Sequence, residues 1–534
     1  MAVARPAPET LPPSPISPVA FVPALYFMQA MPIFMVQEVS GTIFKSLGVD
    51  NAAVASWTAL LALPWSFKLL WGPLVDVNGT KRGWVTALQA MMVLGFILAG
   101  FALNTPQFFG ITLAVFAVMG VLSATVDIAT DGFYLLTCSR EQQQKFVGWQ
   151  SLFFRLGRLF ATGAVVVLAG RLIESGMAET MAWAIALVAM AAVYGIGAIY
   201  NRFVLPHPER DVRHTPQPGE NRTNLLNLVV ILIAAGFAWM AIGSLFAYVG
   251  WGLHFAFPTF FTKWTMPTED EVFIAFFKVA TGPGELMHAL RLALGAGVAF
   301  ALWPLIRRQV GPTEMGSAFR TFFVRDRLLG VLSFMLFYRF SEAMLGRIVP
   351  LFLQDKREGP DDPTGGLGFT VEQVGLVNGT FGVIGIVLGG IVGGLVVSKL
   401  GLRKAFLLLV AAMQVPNLMY LWAAGASPTP TVMSFITFFD QFGYGFGFAG
   451  YLIALQTIAQ VHPRYVTAHF AIGTGLGALF IAAAGTLSGA LMNVMDFRSI
   501  FIIVLLFSIP SLLTIFFVPL DDSKGIEVRD VDVD

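Results

Sequence analysis

Asp127 and Asp131 stand four positions apart in SATVDIATDGFYLL (123 to 136), a stretch otherwise made of apolar, small or hydroxyl-bearing residues. That spacing puts both carboxylates on one face of a helix. A charge at mid-membrane costs about 3 kcal/mol on insertion scales, so it faces protein or water and finds a partner. Depth narrows the candidates. At a rise of about 1.5 Å per residue, a span ending near Cys138 holds Asp131 about 10 Å and Asp127 about 16 Å from that end. A span starting near Lys145 holds Arg155 at about 15 Å and Arg158 at about 20 Å, and Lys68 lies about 12 Å before Asp76. The aspartates are therefore expected to neutralise Lys68, Arg155 or Arg158. Either the cluster is a permanent structural one, or one carboxylate, Asp127 as the deeper, exchanges a proton when its arginine turns to an anionic substrate. Desolvation favours a neutral carboxyl and a nearby guanidinium favours the charged form, so moving the arginine changes the balance.

A sparser set follows later in the chain. Arg339 and Glu342 are three apart, which suits either a local pair or a substrate contact. Asp440, beside Gln441, has no evident partner in its own span and is the better functional carboxylate. Glu38 lies where it can reach lipid headgroups, and His254, His288, His462 and His469 are dispersed, with His469 alone inside a span. Other chemistry lacks its residues. There is no Walker A loop, HExxH or GxSxG, so neither ATP-driven transport nor hydrolysis is expected, and the chain is not read as an enzyme. GFGFAG (445 to 450) has no strand before it and reads as a small-residue helix face. One cysteine and no Cys/His cluster leave no metal or cofactor expected, and a net charge of +1 excludes a nucleic-acid partner.

These charges must be positioned by membrane helices. Of 534 residues, 56% are hydrophobic and 12% charged, far from a soluble domain. Apolar runs near the roughly 20-residue length of a span fall at 20–44, 52–75, 84–104, 107–137, 146–172 and 180–205. Two less regular runs follow at 226–250 and 285–306. Six more lie at 329–353, 370–398, 404–424, 431–460, 465–492 and 498–519. The expected division is an N-terminal tail (1–19), a six-helix bundle (20–206), a polar linker (207–225), two inserted helices with an outer segment (226–317), a second six-helix bundle (318–520) and an acidic tail (521–534). Lys and Arg gather in alternate loops, which places both termini in the cytoplasm and residues 254–285 outside as a candidate surface for a protein partner.

Two loops repeat one frame. GPLVDVNGTKRGW (72 to 84) and GGLVVSKLGLRKAF (393 to 406) share Gly-x6-Gly-x2-basic, as Gly72, Gly79 and Arg82 in one and Gly394, Gly401 and Lys404 in the other. Recurrence at the same point of two six-span halves indicates a parallel duplication. The first copy, with Gly72, Asp76, Gly79, Lys81 and Arg82, resembles the loop between spans two and three of the major facilitator superfamily. The second has Ser398 in the Asp76 position, so only the first half can supply an aspartate to a gate. A narrower resemblance rests on FKLLWGPLVD, SATVDIATDGF, FFRLGRL, LFYRFSEAMLG, VEQVGLVNGTFG and FFDQFGYGFGFAGYLIALQ in that order. Together these are similar to AmpG-type muropeptide permeases, in a group with acetyl-CoA and siderophore transporters.

The resemblance implies an all-α membrane protein of the major facilitator fold, two parallel six-helix bundles plus two extra helices, about 14 spans in a bacterial inner membrane. It implies a proton-coupled importer of a bulky anionic small molecule such as an anhydromuropeptide. Arg155 and Arg158 would face the anion, with Arg339 and Gln441 as further contacts and Phe153, Phe154, Tyr338 and Phe439 packing on its apolar or sugar face. Another ligand (acetyl-CoA, a siderophore or a drug) and a membrane assembly factor that no longer transports are the alternatives.

Overall fold

The structure is a computed structural model and describes residues 16–49, 54, 57–58, 61–211, 220–256, 273–274, 277–278, 284–311, 313–325, 327–355, 365–492 and 495–518. The first half comprises α1 (Pro18–Ser46), α2 (Leu63–Phe67), α3 (Gly72–Val77), α4 (Lys81–Ala102), α5 (Phe108–Thr137), α6 (Arg140–Glu174) and α7 (Glu179–Val204). Next come α8 (Glu220–Ala256) and α9 (Gly284–Gln309), then a short α10 (Glu314–Phe323). The second half runs through α11 (Leu328–Gln354), α12 (Leu376–Leu400), α13 (Leu402–Ala426), α14 (Pro430–Ala459), α15 (Val466–Met492) and α16 (Phe497–Leu513).

Eleven helices among the described residues are long and apolar enough to cross a membrane, and Leu226–Ala238 and Phe497–Leu513 are shorter apolar helices. The expected second span is broken. Pro64 opens α2 and Pro73 opens α3, and a 3-10 turn at Lys68–Leu70 joins them around the buried Lys68 side chain. The helix α8 starts at Glu220, six residues before the expected run. Of the expected outer segment 254–285, residues 254–256 close α8 and 284–285 open α9, and between them the described residues are the antiparallel pair Phe273–Ile274 and Phe277–Lys278, which departs from the purely helical expectation. The acidic tail and residues 1–15 lie outside the described residues.

Local signals account for several helix ends. Ser139 and Gln142 form a capping box that starts α6, Thr80 accepts from Gly83 N–H at the start of α4, and Asp496 does the same for Ser499 in α16. Backbone N–H groups of Lys81 and Arg82 donate to Asp211, which ties the loop after α7 to the start of α4. Large apolar side chains such as Phe203 (81% exposed) and Leu329 (80%) cover the outside, a surface that only lipid can face.

Packing separates the halves at one end and joins them at the other. One core cluster lies wholly within Met28 to Tyr194 and another within Phe340 to Val504. A third, at the end carrying the repeated loops, takes Phe21, Phe133 and Phe146 from one half together with Phe334, Tyr451 and Phe470 from the other. Within the second half, Gly385, Gly389 and Gly393 bring α12 onto the backbone of α14, where an added Cβ would strike the carbonyls of Phe438, Phe442 and Phe446. The inserted helices pack on each other, with Gly295 against Phe237, and α9 stays peripheral.

Candidate functional site

The joined end is a closure built from the repeated frame. Gly79 and Gly401 both have positive φ, 67° and 77°, as the two tight turns require. Gly72 lets α3 approach α15, where an added Cβ would lie 2.7 Å from Ala471 Cβ, and Gly394 lets α12 approach α6, 2.9 Å from Val147 Cγ1. Asp76 accepts from the Ala468 N–H of the opposite half at 2.6 Å, at the start of α15, and pairs with Lys81 at 3.0 Å. Lys81 also donates to Val75 O, and Arg82 caps the end of α7 through the carbonyls of Arg202 and Leu205. Gly132 meets Thr467, Gly148 meets Gly390 and Ile391, and Gln460 donates to Gln143 at 2.8 Å.

Above the closure lies a cavity of about 720 Å³ bounded by α6 from the first half and by α11, α12, α13, α14 and α15 from the second. Four arginines line it, Arg155, Arg158, Arg339 and Arg347, with two carboxylates, Glu342 and Asp440. Aliphatic walls come from Leu152, Leu156, Leu159, Val383 and Val387. Cations outnumber acids by two, so an anion is favoured there. A depression of about 420 Å³ near Pro106 to Ala114 has no charged lining residue and offers no comparable chemistry.

Arg339 owes its position to a break in α11 between Phe337 and Phe340. The Tyr338 carbonyl freed there accepts from Ser511 Oγ at 3.0 Å and Gln414 Nε2 at 3.4 Å, which satisfies it inside the membrane. The Arg339 guanidinium donates to Tyr444 OH at 2.6 Å and lies 4.6 Å from the Phe448 ring centre and 5.2 Å from that of Tyr451. No ion pair among the described residues joins it to Glu342, so the local pair weighed from the sequence does not form: the aromatic face of α14 holds the cation instead. Asp440 accepts from Tyr420 OH at 3.0 Å and Gln441 Nε2 at 2.8 Å through one oxygen. Its other oxygen, Glu342 Oε1, Arg155 Nε and Arg339 Nε are all buried without a hydrogen-bond partner. Arg158 pairs with Glu38 at 3.0 Å and covers the Phe34 ring.

The first-half acids sit apart from this cavity. Asp127 is 7% exposed, pairs with Lys68 and accepts from Gln29, while Asp131 accepts from Tyr26 OH at 3.1 Å. Lys68 is thus the partner, and among the described ion pairs Arg155 and Arg158 do not meet either aspartate. The reason is azimuth: α1 packs on both α5 and α6, and its Gln29 and Tyr26 turn toward the acids.

The expected aromatic contacts also lie off the cavity. Tyr338 is fully buried with its hydroxyl donating to Gly447 O at 2.8 Å, Phe439 is 52% exposed on the outer face, Phe153 stacks on Trp149, and Phe154 packs edge-on against Phe34. His469 is held at the closure by Thr321 and Arg325. Tyr444, Tyr420, Asn378 and Arg347 line the cavity without having been singled out; Tyr444, one turn from Asp440 on the same helix, carried the readable signal.

The chain matches the Major Facilitator Superfamily over residues 22–324 and 331–531. It is 18% identical to "Putative transporter AmpG 4" of Rickettsia felis over 502 residues, 91% of this chain and 93% of that protein. It is 26% identical over 242 residues to the "Anhydromuropeptide permease" of Escherichia coli, covering 43% of this chain and 48% of the permease. Among solved structures, the E. coli transporter FucP in the outward conformation aligns with a TM-score of 0.56 at 10% identity, covering 94% of this chain and 98% of that one. The proton:xylose symporter XylE aligns at 0.54 and 11%, covering 96% of each chain. A family match across most of its length, on a helical membrane architecture shared with transporters, means that the chain belongs to the Major Facilitator Superfamily and is a membrane transporter rather than an enzyme.

Proposed function

We propose that this chain is a proton-coupled importer that carries a bulky anionic solute, an anhydromuropeptide, across a bacterial inner membrane by alternating access. One observation carries the reading: a cavity between the halves, shut at the end bearing the repeated loops, brings Arg155 and Arg339 together with the buried carboxylates Glu342 and Asp440. With both termini cytoplasmic, that cavity opens outward, the state an importer needs to load. The arginines bind the anion and the aliphatic walls cover its uncharged parts. Asp440 takes the coupling role because its unpartnered oxygen adjoins the site, whereas Asp127 is already matched by Lys68 and Gln29. The bundles over 20–206 and 318–520 then rock about the site, closing Arg158 and Glu38 over the solute. The AmpG-named relatives support the substrate, and the proton symporters among the structural neighbours support the coupling.

The test is uptake of labelled anhydromuropeptide into proteoliposomes. Uptake is expected to follow an imposed pH gradient, stop when the gradient collapses, and resist excess acetyl-CoA or ferric siderophore. Uptake indifferent to the gradient removes proton coupling, and competition by acetyl-CoA or siderophore transfers the site to that ligand.

A further inference from the structure

We infer that the cavity has a side entrance between α6 and α12, and that one acyl chain of an outer-leaflet phospholipid lies in it. The inference goes beyond the transport reading and holds whichever solute is carried. Two facing stripes carry it. On α12, Val383, Val387, Gly390 and Gly394 follow one another in steps of three or four and so share one face. On α6 the same holds for Gly148, Leu152, Leu156 and Leu159. Toward the cytoplasm the stripes touch: an added Cβ on Gly148 would lie 2.7 Å from Ile391 Cα, and one on Gly394 2.9 Å from Val147 Cγ1. Further along they part. Leu159 is 63% exposed and Val383 43%, and both line the cavity.

Depth identifies the occupant. With Lys145 and Ser398 taken as the cytoplasmic ends of the two spans, the glycine contacts lie about 5–12 Å along and the parted leucines and valines about 17–22 Å. In a hydrocarbon layer about 30 Å thick, that is the acyl-chain level of the leaflet away from the closure, the outer one with both termini cytoplasmic. The bundle leaves the slot open sideways: among the described residues, α6 packs on α1, α7, α12 and α14, and α12 packs on α6, α13 and α14, so the bilayer is the next layer beyond the gap. Water in the slot would meet aliphatic side chains on two sides and lipid on the third, with no hydrogen-bond partner on either stripe at that level, whereas an acyl chain meets apolar surface on all three. A chain lying there holds α6 and α12 apart above their glycine contacts. It therefore belongs to the state open on that side and leaves when the halves rock shut.

The test uses the full-length protein in liposomes containing phosphatidylglycerol with a photoactivated diazirine on one acyl chain, and reads the sites of adduct formation by peptide mass spectrometry. Leu94 on α4 and Leu407 on α13, each 55% exposed and neither lining the cavity, serve as references for ordinary lipid contact. Ile481 on α15 lines the cavity and reports a chain that has entered it. In the wild type, adducts are expected on Ile481 as well as on both references. Leu159→Trp and Val383→Trp should each lower the Ile481 adduct about tenfold, because an indole fills the slot between the stripes, and should leave the references unchanged. Labelled references with no adduct on Ile481 in the wild type mean that lipid stays outside, and this comparison overturns the inference without any variant. An Ile481 adduct indifferent to both tryptophans means that lipid reaches the cavity by another path, which overturns the side entrance. The uptake assay judges the transporter reading separately, since neither outcome depends on a solute.

Discussion

Replacing Asp76 by alanine tests how the closed end is held. Asp76 makes two bonds, and only one bears on opening. Its pair with Lys81 lies within the first half and persists when the halves part, whereas its bond to Ala468 N–H crosses between them. A hydrogen bond to a charged group contributes about 1.5–3 kcal/mol, so Asp76→Ala should raise the opened fraction about 10- to 150-fold. Asp76→Asn keeps a neutral acceptor and should fall between the two. The chain carries its own reporter: Cys138, its single cysteine, is fully buried in the core cluster shared by both halves. Burial pushes its thiol up from 9.0 to about 12. Because the side chain has no exposed surface and the thiolate is the reactive form, the closed state should be protected from N-ethylmaleimide. Labelling in detergent therefore measures opening. If Asp76→Ala leaves labelling within threefold of wild type, the aspartate is not the latch.

Three other perturbations separate the roles assigned above. Asp440→Asn is expected to abolish uptake driven by a pH gradient while sparing exchange of labelled for unlabelled solute; loss of both would make Asp440 a binding residue. Asp127→Ala leaves Lys68 buried without its carboxylate and should destabilise the fold by about 3–5 kcal/mol, much of it regained in a Lys68→Met/Asp127→Leu double variant; a thermal unfolding midpoint unchanged by the single substitution contradicts a structural pair. Gly148→Val would put its Cβ 2.7 Å from Ile391 Cα, so the ends should fail to close, Cys138 should label quickly and uptake should stop; normal uptake would mean that α6 and α12 do not need this contact.

Much of this design was readable from residue order, because small residues and turns declare themselves locally. The duplicated frame announced Gly79 and Gly401, and both adopt positive φ; GFGFAG (445 to 450) announced a small-residue helix face, and Gly445 lies against α12 while Gly447 and Gly450 lie against α13. Charges were legible in depth and not in azimuth. Rise per residue set Asp127 level with Arg155, but nothing in either segment disclosed that α1 stands between them and offers Gln29 and Tyr26. Rotation about a helix axis also misled for aromatics, since Tyr338 falls at a helix break facing the core and Phe439 faces outward, one position from the cavity-lining Asp440. The preference of Arg339 for rings over Glu342 depends on α14, more than a hundred residues away.

The duplication also explains an inequality between the two seams of the closure. Gly72 and Gly394 do the same steric work, bringing α3 onto α15 and α12 onto α6. Their electrostatics differ. The N–H groups at the start of α15 are served across the seam by Asp76, so opening there strands a donor. The start of α6 is served within its own chain segment by Ser139 and Gln142, so opening that seam strands none and breaks the neutral bond between Gln460 and Gln143. The first seam is therefore the one that resists opening. Restoring the missing acid tests this: Ser398→Asp puts a carboxylate at an exposed position, while at the start of α6 the Ser139 and Gln142 N–H groups are already satisfied by the capping box. Cys138 labelling should then change less than threefold, in contrast to the large response to removing Asp76. A tenfold slowing would mean that α6 offers a free donor after all, and that the two seams share the latch equally.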